Sequence, residues 1–366
     1  MAFSGLAAEV VFTASQNTAN NIPKASGPYA HWYDAERQAY RPSEAVKASW
    51  ARGYAYAADR PFRAAVYHIA DTLLGQLPPS IFRTVEATYL FRGNSENTGG
   101  LIAKPVPQSL AHFKRNSSFS AEEQKVLSRL QELTFTTTEP FASGRGSTAT
   151  HTAWFSPPAK GKPTILYSPG QVGRLSNARY FMPWLKAGYG FIIYEYPGYG
   201  KSRAATSEPW IYETAETVSH LLVKKGIPKK QQILWGYSMG GAPTAYLASK
   251  EGYKAVIMQS TMHNFPEVVE HQMITKWGIR HWVLPVYKHT ITQFPVQTFL
   301  QANTSPILFI HGKQDKDIPW QYNMMLNELA VPNGVKKRGE LIPDAGHWID
   351  TAVLEPRVNA FLKTLN

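Results

Sequence analysis

QQILWGYSMGGAPTAYLASK, residues 231–250, runs an apolar stretch straight into a serine flanked by glycines. Ile233, Leu234 and Trp235 read as a buried strand, and GGAPTAYLASK (240–250) reads as a helix. Gly236 and Gly240 let the chain turn sharply between the two without Cβ clashes, and they lift Ser238 to the apex. Pro243 does not oppose the helix, because a first-turn N–H has no intrahelical partner to lose. A serine in a G-x-S-x-G turn between strand and helix is the nucleophile elbow. The pentapeptide is common; its strand–turn–helix setting gives it meaning.

From Lys162 onward, short apolar runs alternate with amphipathic stretches. The strands expected are TILYS (164–168), GFIIYEY (190–196), QILWGY (232–237), AVIMQS (255–260), PILFIHG (306–312) and GELIPD (339–344). The stretch Ile211–Lys225 reads as a helix between two of them. Four of the runs are continuously apolar, as strands covered on both faces are. The alternation predicts an α/β fold, a doubly wound and mostly parallel sheet. Ligands of such sheets bind beyond the carboxyl ends of the strands, where Ser238 falls.

A serine hydroxyl needs a base to take its proton and a third group to orient that base. ILFIHGKQDKDIPW (307–320) ends an apolar strand and offers Asp315 and Asp317, and ELIPDAGHWID (340–350) offers His347. Each follows an expected strand, so all three groups converge on one face. The chain order Ser, Asp, His is the one this arrangement uses.

Ahead of the sheet, residues 1–40 lack sustained periodicity and read as a loosely ordered leader. Residues 41–130 read as a helical region. Asp59-Arg60-Pro61 opens a helix whose apolar face carries Phe62, Ala65, Val66, Ile69, Leu73 and Leu77. Ser120 and Glu123 form a capping box for a second helix, with Val126, Leu127, Leu130 and Leu133 on its face. LTFTTTEPF (133–141) and HTAWFSP (151–157) then read as an antiparallel pair joined by the Gly/Ser turn at 143–147.

Composition bounds the rest. The 366 residues carry a net charge of +12 and no cysteine, so disulfides cannot hold the fold together. No apolar run approaches the ~18 residues of a membrane helix. With no export signal read, a cytoplasmic location is the default. The charge reads as solvated helix ends and loops; a phospholipid surface is the anionic partner compatible with it, and nucleic acid is not expected. The glycine-rich loops lack phosphate-binding spacing, and no Cys/His cluster has zinc spacing, so neither cofactor nor metal is expected. Oligomeric state is left open.

Over residues 130–366 the chain resembles the α/β-hydrolase superfamily. The resemblance rests on SPGQVGRLSNARYFMPWLKAGYGFIIYEYPGYGKSRAATSEP (168–209), GYSMG (236–240), IMQSTMHNF (257–265), PILFIHGKQDKDIP (306–319) and PDAGHWID (343–350), in that order. It is nearest the branch of monoacylglycerol lipase-like, serine aminopeptidase-like and protein-depalmitoylating hydrolases. The resemblance implies Ser238 as nucleophile, His347 as general base and Asp315 as orienting acid, with Asp317 the alternative and His311 structural. It implies an oxyanion hole from the backbone N–H groups of Met239 and Gln171, with Val172 the neighbouring choice. Two departures stand out. Pro169 replaces a histidine, and Glu195 replaces an aspartate and reads as a carboxylate capping the YPGYGKS loop.

The function expected is a serine hydrolase of carboxylic esters or thioesters, of acyl or lipid type, acting through an acyl-enzyme. The hydrolase domain is taken as 131–366, with 260–306 as a cap insertion rich in Trp, Met, Tyr and His. A peptidase or amidase is the second reading, for which Glu267 and Glu270 are the cap's carboxylates. A third is an interaction protein whose N-terminal region carries partner or membrane binding. A haloalkane dehalogenase is disfavoured, because it needs a carboxylate where Ser238 stands.

Overall fold

A computed structural model of the chain describes residues 108–140, 148–202, 204, 206–250, 252–265, 268, 271 and 292–365. The chain divides into two units. One comprises Ala87–Glu139, Ser147–Val268 and Gln293–Asn366; the other comprises Met1–Glu86, Pro140–Gly146 and Val269–Thr292. Every element below belongs to the first. The expected leader, the helix opening at Asp59, the 143–147 turn and most of the 260–306 insertion lie outside the described residues.

The order of elements begins with α1 (Leu110–Lys114), α2 (Ala121–Leu127) and the strands β1 (Gln131–Thr138), β2 (Thr148–Ser156) and β3 (Thr164–Ser168). A 3-10 turn (Leu175–Phe181), α3 (Met182–Lys186), β4 (Gly190–Tyr194), α4 (Glu208–Lys224) and β5 (Gln232–Tyr237) follow. Then come a 3-10 turn at Ser238–Gly240, α5 (Gly241–Lys250), β6 (Ala255–Gln259), α6 (Val296–Leu300) and β7 (Ile307–Gly312). The chain closes with α7 (Trp320–Met325), β8 (Lys337–Ile342) and α8 (Thr351–Lys363).

The strands form one sheet in the order β1-β2-β4-β3-β5-β6-β7-β8. β1 and β2 pair antiparallel, as do β2 and β4; all other neighbours are parallel. Every residue of β3, β4, β6 and β7 is buried, which is why these strands are mostly apolar. This is the α/β-hydrolase architecture.

The capping box is present: Ser120 accepts from Glu123 N–H and Glu123 accepts from Ser120 N–H. The helix it opens is shorter than expected, however. α2 ends at Leu127, and Leu133 belongs to β1. There Leu133, Phe135 and Thr137 alternate inward, so a period of two overrides the helical spacing read from the sequence. β8 begins two residues before the expected GELIPD, because Lys337–Ile342 pair with Ile307–Gly312. As an edge strand it tolerates charge. The longest basic cluster lies here: Lys336 donates to the Thr364 carbonyl, Lys337 to the Glu328 carbonyl, and Arg338 pairs with Glu340.

One face of the sheet is sealed by aromatics. Trp235 of β5 meets Phe181 and Trp184, each with ring centroids 5.0 Å away, and Phe181 meets Tyr167 at 4.6 Å and Phe191 at 4.7 Å. The indole N–H groups are satisfied, Trp235 by Gln259 and Trp184 by Asn359. On the other face Tyr212, Tyr246 and Phe299 close over α4, α5 and α6. Burying such a side chain stabilises by roughly 1.5–3 kcal/mol.

Two buried titratable groups oppose each other in pH dependence. His151 hydrogen-bonds Thr137 through Nε2, its Nδ1 has no partner, and burial pushes its imidazole down to about 4. Burial pushes the Glu195 carboxyl up to about 7 against the Lys201 N–H it accepts. The His151 contribution is complete above pH 6.5 and is lost as pH falls through about 4. The Glu195 contribution is complete below pH 4.5 and is lost as pH rises through about 7. Each amounts to about 3 kcal/mol, so they offset over the shared window. Glu195→Gln is therefore expected to expose the His151 slope: urea unfolding should show stability falling from pH 7 to 4 by up to about 3 kcal/mol more than in the wild type.

Candidate active site

β5 delivers Ser238 into a turn it cannot relax. Ser238 has φ 54°, in the left-handed region that costs a non-glycine residue strain. A Cβ on Gly236 would lie 2.5 Å from the Gly240 carbonyl oxygen and 2.6 Å from Thr244 Oγ1. A Cβ on Gly240 would run into the carbonyl oxygens of Ser168 and Pro169. Only glycine allows β5, α5 and the end of β3 to approach so closely. Thr261, just past β6, donates its hydroxyl to the Ser238 carbonyl at 2.9 Å.

The residues expected as acid and base follow neighbouring strands. Asp315 lies three residues beyond β7, and His347 lies between β8 and α8. His347 Nε2 is 3.0 Å from Ser238 Oγ, and His347 Nδ1 is 2.7 Å from Asp315 Oδ2. The Asp315 side chain is fully buried and that of His347 is 19% exposed. Asp315 Oδ1 accepts the N–H groups of Asp317 at 2.8 Å and Ile318 at 3.0 Å. Burial alone would raise the Asp315 carboxyl. Hydrogen bonds from His311 and His347, the His347 charge and the Ile318 N–H outweigh it and hold Asp315 well below the usual carboxylate range. Asp317, the alternative acid, supports Asp315 through its backbone instead.

The loop after β3 stands on the other side of Ser238. Ser168 pairs with Gly236 in the sheet, and a Cβ on Gly170 would lie 3.2 Å from Ser238 Cβ. Gly173 N–H donates to the Gly170 carbonyl at 2.8 Å, closing a turn that carries Gln171 and Val172. Gln171 is half-buried, Val172 exposed and Met239 buried. Pro169, the departure noted in the sequence, is fixed by its carbonyl, which accepts the Tyr196 hydroxyl at 2.8 Å. Glu195 caps the YPGYGKS loop, accepting Lys201 N–H at 3.1 Å.

Three contributors were given no part in the site by the sequence. His311, taken as structural, places Nε2 2.8 Å from Asp315 Oδ2. Its four-residue spacing from Asp315 was the visible signal. Thr261 gave no signal, because its role depends on β6 lying beside β5. An aromatic file also leads outward from the base: Tyr237 lies 5.1 Å from the His347 ring and 5.2 Å from Trp348, and Trp348 lies 4.3 Å from Tyr180. Trp348, Tyr180 and Val172 are exposed.

Asp315, Asp317 and His347 offer ligand atoms within 4.8 Å of one another, but Asp315 already accepts four N–H groups, so the cluster is a hydrogen-bonded acid–imidazole set rather than a metal site. Among the described residues, no helix is long and apolar enough to cross a membrane. Glu267 and Glu270, on which the amidase reading leaned, lie outside the described residues.

Residues 163–283 match the family model described as alpha/beta hydrolase fold. The chain is 28% identical over 230 residues to the uncharacterized protein YfhR of Escherichia coli O157:H7, spanning 58% of this chain and 76% of the relative. It is 29% identical over 188 residues to alpha/beta hydrolase domain-containing protein 17C of Xenopus tropicalis, covering 50% of this chain and 56% of that protein. Among solved structures, an esterase from Pyrococcus furiosus superposes with a TM-score of 0.49 at 18% identity, covering 64% of this chain and 91% of its own.

Removing the Thr261 hydroxyl takes one donor from the Ser238 carbonyl, which the Gly241 N–H still reaches. Thr261→Val is expected to lower stability by about 0.5–1.5 kcal/mol in urea unfolding.

Proposed function

Because the chain is a member of the α/β-hydrolase superfamily, we propose that it is a serine hydrolase cleaving carboxylic esters or thioesters through an acyl-enzyme. One observation carries this reading: the unbroken file of hydrogen bonds from Ser238 Oγ through the His347 ring to Asp315 Oδ2.

Ser238 Oγ attacks the carbonyl carbon of the substrate while its proton passes to His347 Nε2. Asp315 holds the His347 ring by Nδ1 and stabilises the imidazolium that forms. The backbone N–H groups of Met239 and Gln171 receive the oxyanion, each donor being worth about 10²–10³ in rate. His347 returns the proton to the departing oxygen or sulfur as the C–O or C–S bond breaks. Water, deprotonated by the same imidazole, then attacks the acyl-enzyme and frees the acid and Ser238.

An apolar acyl group is supported by the aromatic file beside the base. Trp348 exposes ring surface against Tyr237, which packs on the His347 ring, Tyr180 continues it beyond Trp348, and Val172 adds exposed apolar surface on the loop beside Ser238. Apolar lining with a few polar groups at the reacting atoms is the usual form of an acyl subsite.

Ser238→Ala should reduce hydrolysis of p-nitrophenyl esters by several orders of magnitude. A fluorophosphonate probe should label the wild type, with the adduct found on Ser238 by mass spectrometry; labelling that persists at full strength in Ser238→Ala sinks the reading. Trp348→Ala should raise KM for octanoate esters more than for acetate esters, measured by steady-state kinetics on a chain-length series.

A further inference from the structure

Asp315 Oδ2 accepts two imidazole N–H groups. His347 Nδ1 reaches it at 2.7 Å and His311 Nε2 at 2.8 Å. His311 sits within β7, fully buried, and the same Nε2 lies 3.1 Å from the Ile318 carbonyl. Both of its contacts are acceptors, so Nε2 carries the proton. Nδ1 is buried without a hydrogen-bond partner. The ring keeps a buried nitrogen unmatched while committing its single N–H to the acid.

We infer that His311 is a positioning residue that competes with His347 for one oxygen of Asp315 and thereby limits how strongly the acid holds the protonated base. The inference rests on the serine hydrolase reading above. A carboxylate oxygen that already accepts one N–H is a weaker acceptor for the next, because each hydrogen bond to the charged form lowers its basicity. His311 thus fixes the carboxylate from β7 and dilutes its pull on His347. The bond from His347 Nδ1 to Oδ2 is correspondingly weaker than it would be to a carboxylate oxygen accepting that N–H alone.

The other groups facing this pair are few. Asp317 follows Asp315 and gives it a backbone N–H. Tyr237 from β5 lies against the His347 ring, and the Asp315 and Asp317 charges add to burial in holding its phenol up. Tyr180 reaches them only through Trp348 and Tyr237. From β8 the register partner of His311 is Leu341, which carries no charge. Among these groups, His311 is the side chain besides His347 that donates to Oδ2.

Two variants and one wild-type measurement test this. His311→Met removes the donor at similar volume, and His311→Gln keeps an N–H at similar reach. In His311→Met the acid limb of kcat/KM is expected to move upward by about half a pH unit. The low-field proton of His347 Nδ1 should move further downfield in NMR, as its bond to Oδ2 strengthens. His311→Gln should restore both towards the wild type. Met and Gln variants that behave alike, or a low-field proton unmoved in His311→Met, overturn the inference. Should His311→Met not fold, the wild-type ring decides: nitrogen NMR must find His311 protonated on Nε2 and bare on Nδ1, and the reverse tautomer overturns it. The NMR readouts need no substrate, so they stand whether or not Ser238 proves to be the nucleophile.

Discussion

The left-handed backbone at Ser238 is the constraint on which the rest depends. A non-glycine residue held there costs roughly 1–3 kcal/mol, and it persists only where the surroundings leave no alternative. Here β5 is buried between β3 and β6, so its end cannot shift. Gly240 lies against the carbonyls that end β3, and Thr261 holds the Ser238 carbonyl from β6. The hydroxyl therefore meets the imidazole without local reorganisation. The sheet order sets this place: from β3 the chain moves outward to β4 and then crosses back to β5, so the connections leaving β3 and β5 run in opposite directions along the sheet.

A second constraint is the burial of Asp315. A carboxylate taken out of water is costly unless it is paired and hydrogen-bonded. Four N–H groups meet this one, two from its own loop and two from histidines. The solution to the burial problem is also the solution to the positioning problem. The donors that keep Asp315 ionised leave its Oδ2 facing His347 Nδ1, and they fix the tautomer that presents Nε2 to Ser238.

Much of this was legible in the sequence because it is local. Continuous apolar runs give buried parallel strands, and β3 and β5 match the stretches read from the sequence residue for residue. A glycine-flanked serine at a strand end gives the turn, and loops following successive strands give the acid and the base. What was not legible depends on partners distant in the chain. Leu133 has helical spacing from Leu130 and also opens the run read as a strand, and the pairing of β1 with β2 decides between the two. Thr261 acquires its role from the packing of β6 on β5. His311 could be located from its spacing but not interpreted, because both of its acceptors are set by the fold of the loop between Gly312 and Pro319.

The acid and base loops also brace each other. β8 is an edge strand with only Ile342 buried, a weak foundation for the loop that carries His347. The loop carrying His347 is tied to the β7 loop instead. Gln314 N–H donates to the Ala345 carbonyl at 2.9 Å and Lys313 N–H to the Ile342 carbonyl at 2.8 Å. On its far side Asp350 caps α8 through the Ala352 N–H, and Thr351 reaches the Tyr180 carbonyl. Asp315 and His347 are thus carried on two loops bonded directly to one another, so a displacement of the edge strand moves them together relative to Ser238. The distance most exposed to such motion is the 3.0 Å between His347 Nε2 and Ser238 Oγ, not the 2.7 Å between imidazole and acid.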